Sequence, residues 1–135
     1  MSETSKWSAF AHPSYRIVDI GRTAAFLIPV NKIDLPSKEE GKTIKVSLED
    51  FLTEKFGGYN VNPIPRVGAW TSESGQIFFD NCLEYSVAFA GKERIPELLQ
   101  FLSDLAVQMK EECLFVSAGQ YDALLYPSPS VFPSS

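Results

Sequence analysis

Few side chains in this 135-residue sequence have the types and spacing that could do chemistry. His12 is the only histidine, so a Ser-His-Asp or Cys-His relay would have to run through it. It stands beside Pro13 in a stretch without a clean period and with no sign of a nucleophile, so no catalytic residue is assigned from it. Cys82 and Cys113 each sit in an apolar run, where a reduced thiol behaves as a small hydrophobe. Two cysteines cannot build a disulfide framework. A metal site would need His12, Cys82, Cys113 or carboxylates gathered from distant elements, and the HExxH and CxxC spacings are absent, so no metal is expected. GxGxxG and GxxxxGK[ST] are missing too, and Gly57-Gly58 follows a helical pattern instead of opening one, so no cofactor is expected.

Two other groups carry more information. Asp80 and Glu84 lie four residues apart in a segment of period two, which puts both on one face of a strand, ~13 Å apart along it. Phe78 and Cys82 share that face, and Leu27 and Phe115 are expected to join them. Such a surface is too apolar to be left to solvent. A second copy of the chain, the N-terminal arm or C-terminal segment, or a ligand oriented by Asp80 or Glu84 would cover it. The bland alternative leaves the two carboxylates solvated or salt-bridged at its rim. The second group is Arg66 with Trp70, and Tyr59 upstream, residue types that concentrate at interface hot spots. Its bland alternative has Trp70 plugging the end of the core.

The elements that must position these residues follow from periodicity. Residues 23–31 form an apolar stretch of strand length that ends or bulges at Pro29. A helix is predicted from Ser47, with Asp50 three residues on completing a capping-box-like pattern. Leu48, Phe51, Leu52 and Phe56 make one stripe, and Gly57 stops the helix. Residues 59–70 are extended but interrupted by Pro63 and Pro65, which places them at an edge or in a bulge. After a turn at 71–75, residues 76–90 alternate, with Ile77, Phe79, Leu83, Tyr85, Val87 and Phe89 directed to the core. A second helix carries Ile95, Leu98, Leu99, Leu102, Leu105, Ala106 and Met109, and a strand at 113–118 follows.

The order strand–helix–strand–strand–helix–strand makes the fold α+β and ferredoxin-like, βαββαβ, a four-stranded antiparallel sheet with two helices on one face. Residues 15–20 and 121–126 are candidates for extra edge strands. The chain divides into an N-terminal arm at 1–22, one domain at 23–126 and a Pro/Ser-rich flexible tail at 127–135.

Charge bounds the function. The net charge is −5, with eight acids and eight bases in residues 1–60 and nine acids against four bases in 61–135. An acidic half that contains Asp80 and Glu84 argues against nucleic acid and anionic membrane and suits a basic protein partner. No apolar run approaches the ~18–20 residues of a membrane span, and no signal-peptide pattern occurs, so the expected location is cytoplasmic. With every catalytic motif missing, the leading expectation is a non-enzymatic binding or regulatory module, homodimeric, acting through a protein–protein interface that includes Tyr59, Arg66, Trp70, Phe78, Asp80 and Glu84. The rival is a cofactor-independent small enzyme or small-molecule-binding protein of the dimeric α+β type. Its pocket would lie between sheet and helices, and Tyr85, Asp80, Glu84 or His12 would supply the polar groups.

Overall fold

A computed structural model describes residues 6–71, 73–75, 77–119 and 121–128, and in residues 63–70 and 77–80 the backbone only. Five strands alternate with two helices: β1 (Arg22–Pro29), α1 (Ile44–Phe56), β2 (Asn60–Thr71), β3 (Ile77–Phe89), α2 (Ile95–Met109), β4 (Leu114–Ala118) and β5 (Tyr121–Leu125). All strand pairs are antiparallel, in the order β2-β3-β1-β4-β5. The first four strands are the expected ferredoxin-like sheet, and β5 is the expected C-terminal addition. The other candidate, residues 15–20, lies in no strand.

Alternation decides what the sheet buries. Phe26 and Ile28 on β1, Tyr85 and Val87 on β3 and Leu114 on β4 face one way, into a cluster with Leu48 and Leu52 of α1 and Leu98, Leu102, Leu105 and Met109 of α2. Each fully buried side chain of this kind contributes roughly 1.5–3 kcal/mol. Pro63 and Pro65 fall where β2 slips against β3: the register passes from Asn62 opposite Glu84 to Arg66 opposite Cys82, four residues against two. This is a bulge, as two residues without ladder donors require.

Helix α1 starts earlier than its Ser47-x-x-Asp50 pattern suggests. Thr43 caps it, the Val46 amide donating to the Thr43 hydroxyl at 3.2 Å. Ser47 is buried inside the first turns, where its hydroxyl donates to Glu39 and is hydrogen-bonded to the Ser37 hydroxyl at 2.8 Å. Gly57 ends the helix in the left-handed region at φ 80°, its amide donating to the Thr53 carbonyl, as expected of a glycine stop. Helix α2 has Pro96 in its first turn, where a missing amide hydrogen costs little.

The face of the sheet turned away from the helices is covered at one end by the chain itself. Cys82 is buried on that face beside its partner Pro29, and Cys113 is buried just before β4. The Tyr126 hydroxyl accepts from the Glu73 amide at 2.9 Å and lies beside the Cys113 sulfur, and Pro127 is buried. The segment after β5 therefore ties the tip of the β2–β3 hairpin to the opposite end of the strand order. Burial pushes the Cys113 thiol up, away from thiolate character.

Candidate functional site

The polar groups of the domain converge where α1 crosses the start of β2 and the middle of β3. Glu49 stands on α1, one turn after Lys45, and the Lys45 ammonium lies 2.9 Å from its carboxylate. From β3, the Tyr85 hydroxyl donates to Glu49 Oε2 at 2.8 Å. Tyr59, just after the Gly57 helix stop, brings its hydroxyl toward the same carboxylate. One carboxylate thus collects an ammonium and two phenols from three successive segments. It is held there by local rules: the i,i+4 spacing sets Lys45 beside Glu49, the glycine turn returns Tyr59, and the inward parity of β3 delivers Tyr85.

The walls of this corner are aromatic. Tyr85 is fully buried and stacks on Phe26 with ring centroids 5.9 Å apart and planes 7° apart. Tyr59, half-buried, lies 5.9 Å from Tyr85 at 44°. Burial alone would raise the pKa of Glu49, but hydrogen bonds from Lys45, Tyr85 and Tyr59 outweigh it and hold the carboxyl below its ordinary range. Tyr85 is pushed far above the ordinary phenol range, first by burial and then by its bond to the Glu49 anion. Tyr59 moves up for the same two reasons. The bond to Glu49 raises Lys45. At neutral pH the cluster is therefore one ammonium, one carboxylate and two neutral phenols, with only 17% of the Glu49 side chain exposed.

The residues singled out by type are distributed differently. Tyr59 belongs to this corner. Glu84 is half-buried on the opposite face of the sheet, paired in register with Leu27 and Asn62. Backbone register sets Trp70 opposite Phe78, Gly68 opposite Asp80 and Arg66 opposite Cys82, while the side chains of Arg66, Trp70, Phe78 and Asp80 lie outside the described residues. His12 is in a turn of the exposed arm: the Ser14 amide donates to its Nδ1 at 3.1 Å, the Ser14 hydroxyl is 2.8 Å from the same nitrogen, and Tyr15 stacks on its ring. Glu49 and Lys45 were not singled out, because an i,i+4 pair on a helix reads as an ordinary solvated face. Their signal was indirect: an inward tyrosine at 85 must bring its hydroxyl to a polar partner.

On the other side of the same sheet face, α2 leaves a second feature. A cavity of about 190 Å³ opens between it and β1, β4 and β5, walled by Ala24, Leu98, Leu99, Val116 and Ala123, with Tyr121 at its mouth. Its lining is almost wholly apolar. Among the described residues no group of three or more His, Cys, Asp or Glu is placed to hold a metal ion, and no helix is long and apolar enough to cross a membrane.

No protein-family model matches this chain, and no curated protein matches it in sequence. Two solved structures share its fold. One is a phage SAM lyase in complex with S-methyl-5'-thioadenosine, at a TM-score of 0.54 and 19% identity, covering 83% of this chain and 94% of that one. The other is a phage SAM lyase in its apo state, at a TM-score of 0.52 and 16% identity with the same coverage. At these identities the likeness shows the fold. It also corrects the expectation of a non-enzymatic binding or regulatory module: that reading rested on missing motifs, and both structures with this architecture are of an enzyme.

Proposed function

We propose that this chain is a cofactor-independent enzyme acting on a small molecule, with Glu49, Lys45, Tyr59 and Tyr85 as its polar centre. The observation that carries the reading is the convergence of an ammonium and the Tyr85 hydroxyl on one carboxylate of which 17% is exposed, with the Tyr59 phenol alongside. Perturbed titratable groups are enriched at functional sites, which supports this reading. The shared fold supports a ligand class, a nucleoside bearing a sulfur substituent, because the similar lyase holds S-methyl-5'-thioadenosine.

The electrostatics select a role for Glu49. A general base works best with a pKa near the operating pH, and Glu49 is shifted the other way. It is therefore suited to orient or stabilise positive charge, such as the sulfonium of SAM, with the Tyr59 ring offering a cation–π face. Lys45 is the movable member, since its side chain is 46% exposed and an incoming cation can take its place against Glu49. Lyase chemistry needs neither water nor oxidant, which is consistent with a site built of phenols and one carboxylate. Two free buried cysteines fit our reading of the protein as cytoplasmic.

The test is direct. Calorimetric titration with S-methyl-5'-thioadenosine, together with chromatographic detection of its release from SAM, is expected to show binding and turnover. Glu49→Gln should weaken them at least tenfold, the scale of one hydrogen bond to a charged group, while circular dichroism stays unchanged. A wild-type chain that neither binds nor turns over sinks the ligand class. Unaltered activity in Glu49→Gln and Lys45→Met removes the site.

A further inference from the structure

We propose that two copies of this chain exchange their N-terminal arms, each adding residues 15–20 as a sixth strand along the free edge of the partner copy's β5. The sheet ends at β2 and β5. The β2 edge carries a bulge and two prolines, devices that discourage further pairing. The β5 edge, Tyr121-Asp-Ala-Leu-Leu125, has neither, and four of its five residues are exposed. An edge of that kind is a template for another strand, and main-chain hydrogen bonds supply the affinity.

The space beside the edge suits an apolar visitor. The cavity beneath α2 is walled on the sheet side by Ala24, Ala118 and Ala123, small side chains that leave room for another residue to enter between helix and strand. The donor is in the same sequence. Residues 15–20, Tyr-Arg-Ile-Val-Asp-Ile, are rich in β-formers yet lie in no strand. Tyr15, Ile17, Val18 and Ile20 are 52%, 37%, 62% and 65% exposed, and Trp7 and Phe10 earlier in the arm are exposed as well.

The arm's own β5 is out of reach, because only Gly21 separates residue 20 from β1 while the free side of β5 lies three strand spacings, ~14 Å, away. At Gly21 the backbone takes φ +89°, and a Cβ there would meet the Phe89 carbonyl oxygen at 2.0 Å. The chain thus leaves β1 pressed against the end of β3, whereas β5 lies two strands over on the other side. Reciprocal exchange in a closed two-fold dimer satisfies both arms at once. The four apolar side chains of the added segment are 37–65% exposed, and two such seams bury a surface on the order of 1,000 Å², the scale of a specific interface.

This proposal does not rest on the ligand reading, and its test uses no ligand. Light scattering on the full chain at micromolar concentration should find twice the 15.0 kDa of one copy. Val18→Pro removes a ladder donor from an exposed arm and should return the particle to one copy with unchanged circular dichroism. Hydrogen exchange at the amides of residues 16–20 should slow as concentration rises in the wild type and not in Val18→Pro. A wild-type particle of one copy overturns the proposal. So does an assembly that keeps its mass in Val18→Pro.

Discussion

Beneath α1, Tyr85 reaches out of the core to a carboxylate shared with Lys45 and Tyr59. Beneath α2, on the same face of the same sheet, alanines and leucines line a cavity of about 190 Å³ with almost no polar surface. One helix covers its strands and pins a charge. The other overhangs an edge strand and leaves apolar surface uncovered. A half-buried charge with its hydrogen bonds made is already satisfied by the fold. Apolar surface without cover is satisfied only by something that arrives.

The sharpest way to break the α1 corner is to remove Tyr85. Tyr85→Ala empties a fully buried aromatic site and should cost about 3–5 kcal/mol in urea unfolding. Tyr85→Phe keeps the packing with Phe26 but takes one donor from Glu49, and about 1–3 kcal/mol is expected. A loss in Tyr85→Phe as large as in Tyr85→Ala would mean that the hydroxyl, not the ring, holds the corner together.

Acid separates the two regions as well. The carboxyl of Glu49 is depressed below its ordinary 4.5, so its contribution to stability is fully present above that pH and disappears as pH falls through the folded value. The wild type should therefore lose more stability than Glu49→Gln between neutral pH and pH 3 in acid titration followed by fluorescence. Equal slopes would show that the hydrogen bonds do not favour the charged form. Substitutions under α2 should show no such difference, because the walls of its cavity are alanines, leucines and other apolar side chains.

A smaller effect is expected where a charge lies on the surface between the helices. Lys38 and Asp104 approach to 3.3 Å with side chains 64% and 35% exposed. Asp104→Ala should change stability by under about 1 kcal/mol, and a larger loss would indicate that the loop before α1 depends on this pair.

How far the sequence alone could take these two regions depends on the range of the signal. Strand alternation and helical stripes are local, and they lead to the βαββαβ order, the inward set of β3 and the Gly57 stop. The start of α1 is misread because Ser47-x-x-Asp50 has the composition of a cap, while Thr43, one turn earlier, makes the bond. Residues 15–20 have strand composition, but pairing needs a partner edge, and none lies beside them within one chain. The corner at Glu49 was out of reach for a related reason. Lys45, Glu49, Tyr59 and Tyr85 span two helical turns, a loop and a strand, so no window of sequence contains their meeting. Tyr59 stands out by its type as an interface residue beside Arg66 and Trp70, whereas its place beside Glu49 depends on the fold.

One contact has consequences for how the molecule is made. Tyr126 binds the backbone at Glu73, 53 residues earlier, across the strand order. The two hairpins it joins, β2–β3 and β4–β5, are closed by neighbouring residues and can form as soon as their own strands exist. The contact between them has a long loop to close, and long-range closures are the slow ones. During synthesis every residue up to 126 must be available before the hairpin tip is fastened. Order of formation is thus written into the position of one tyrosine.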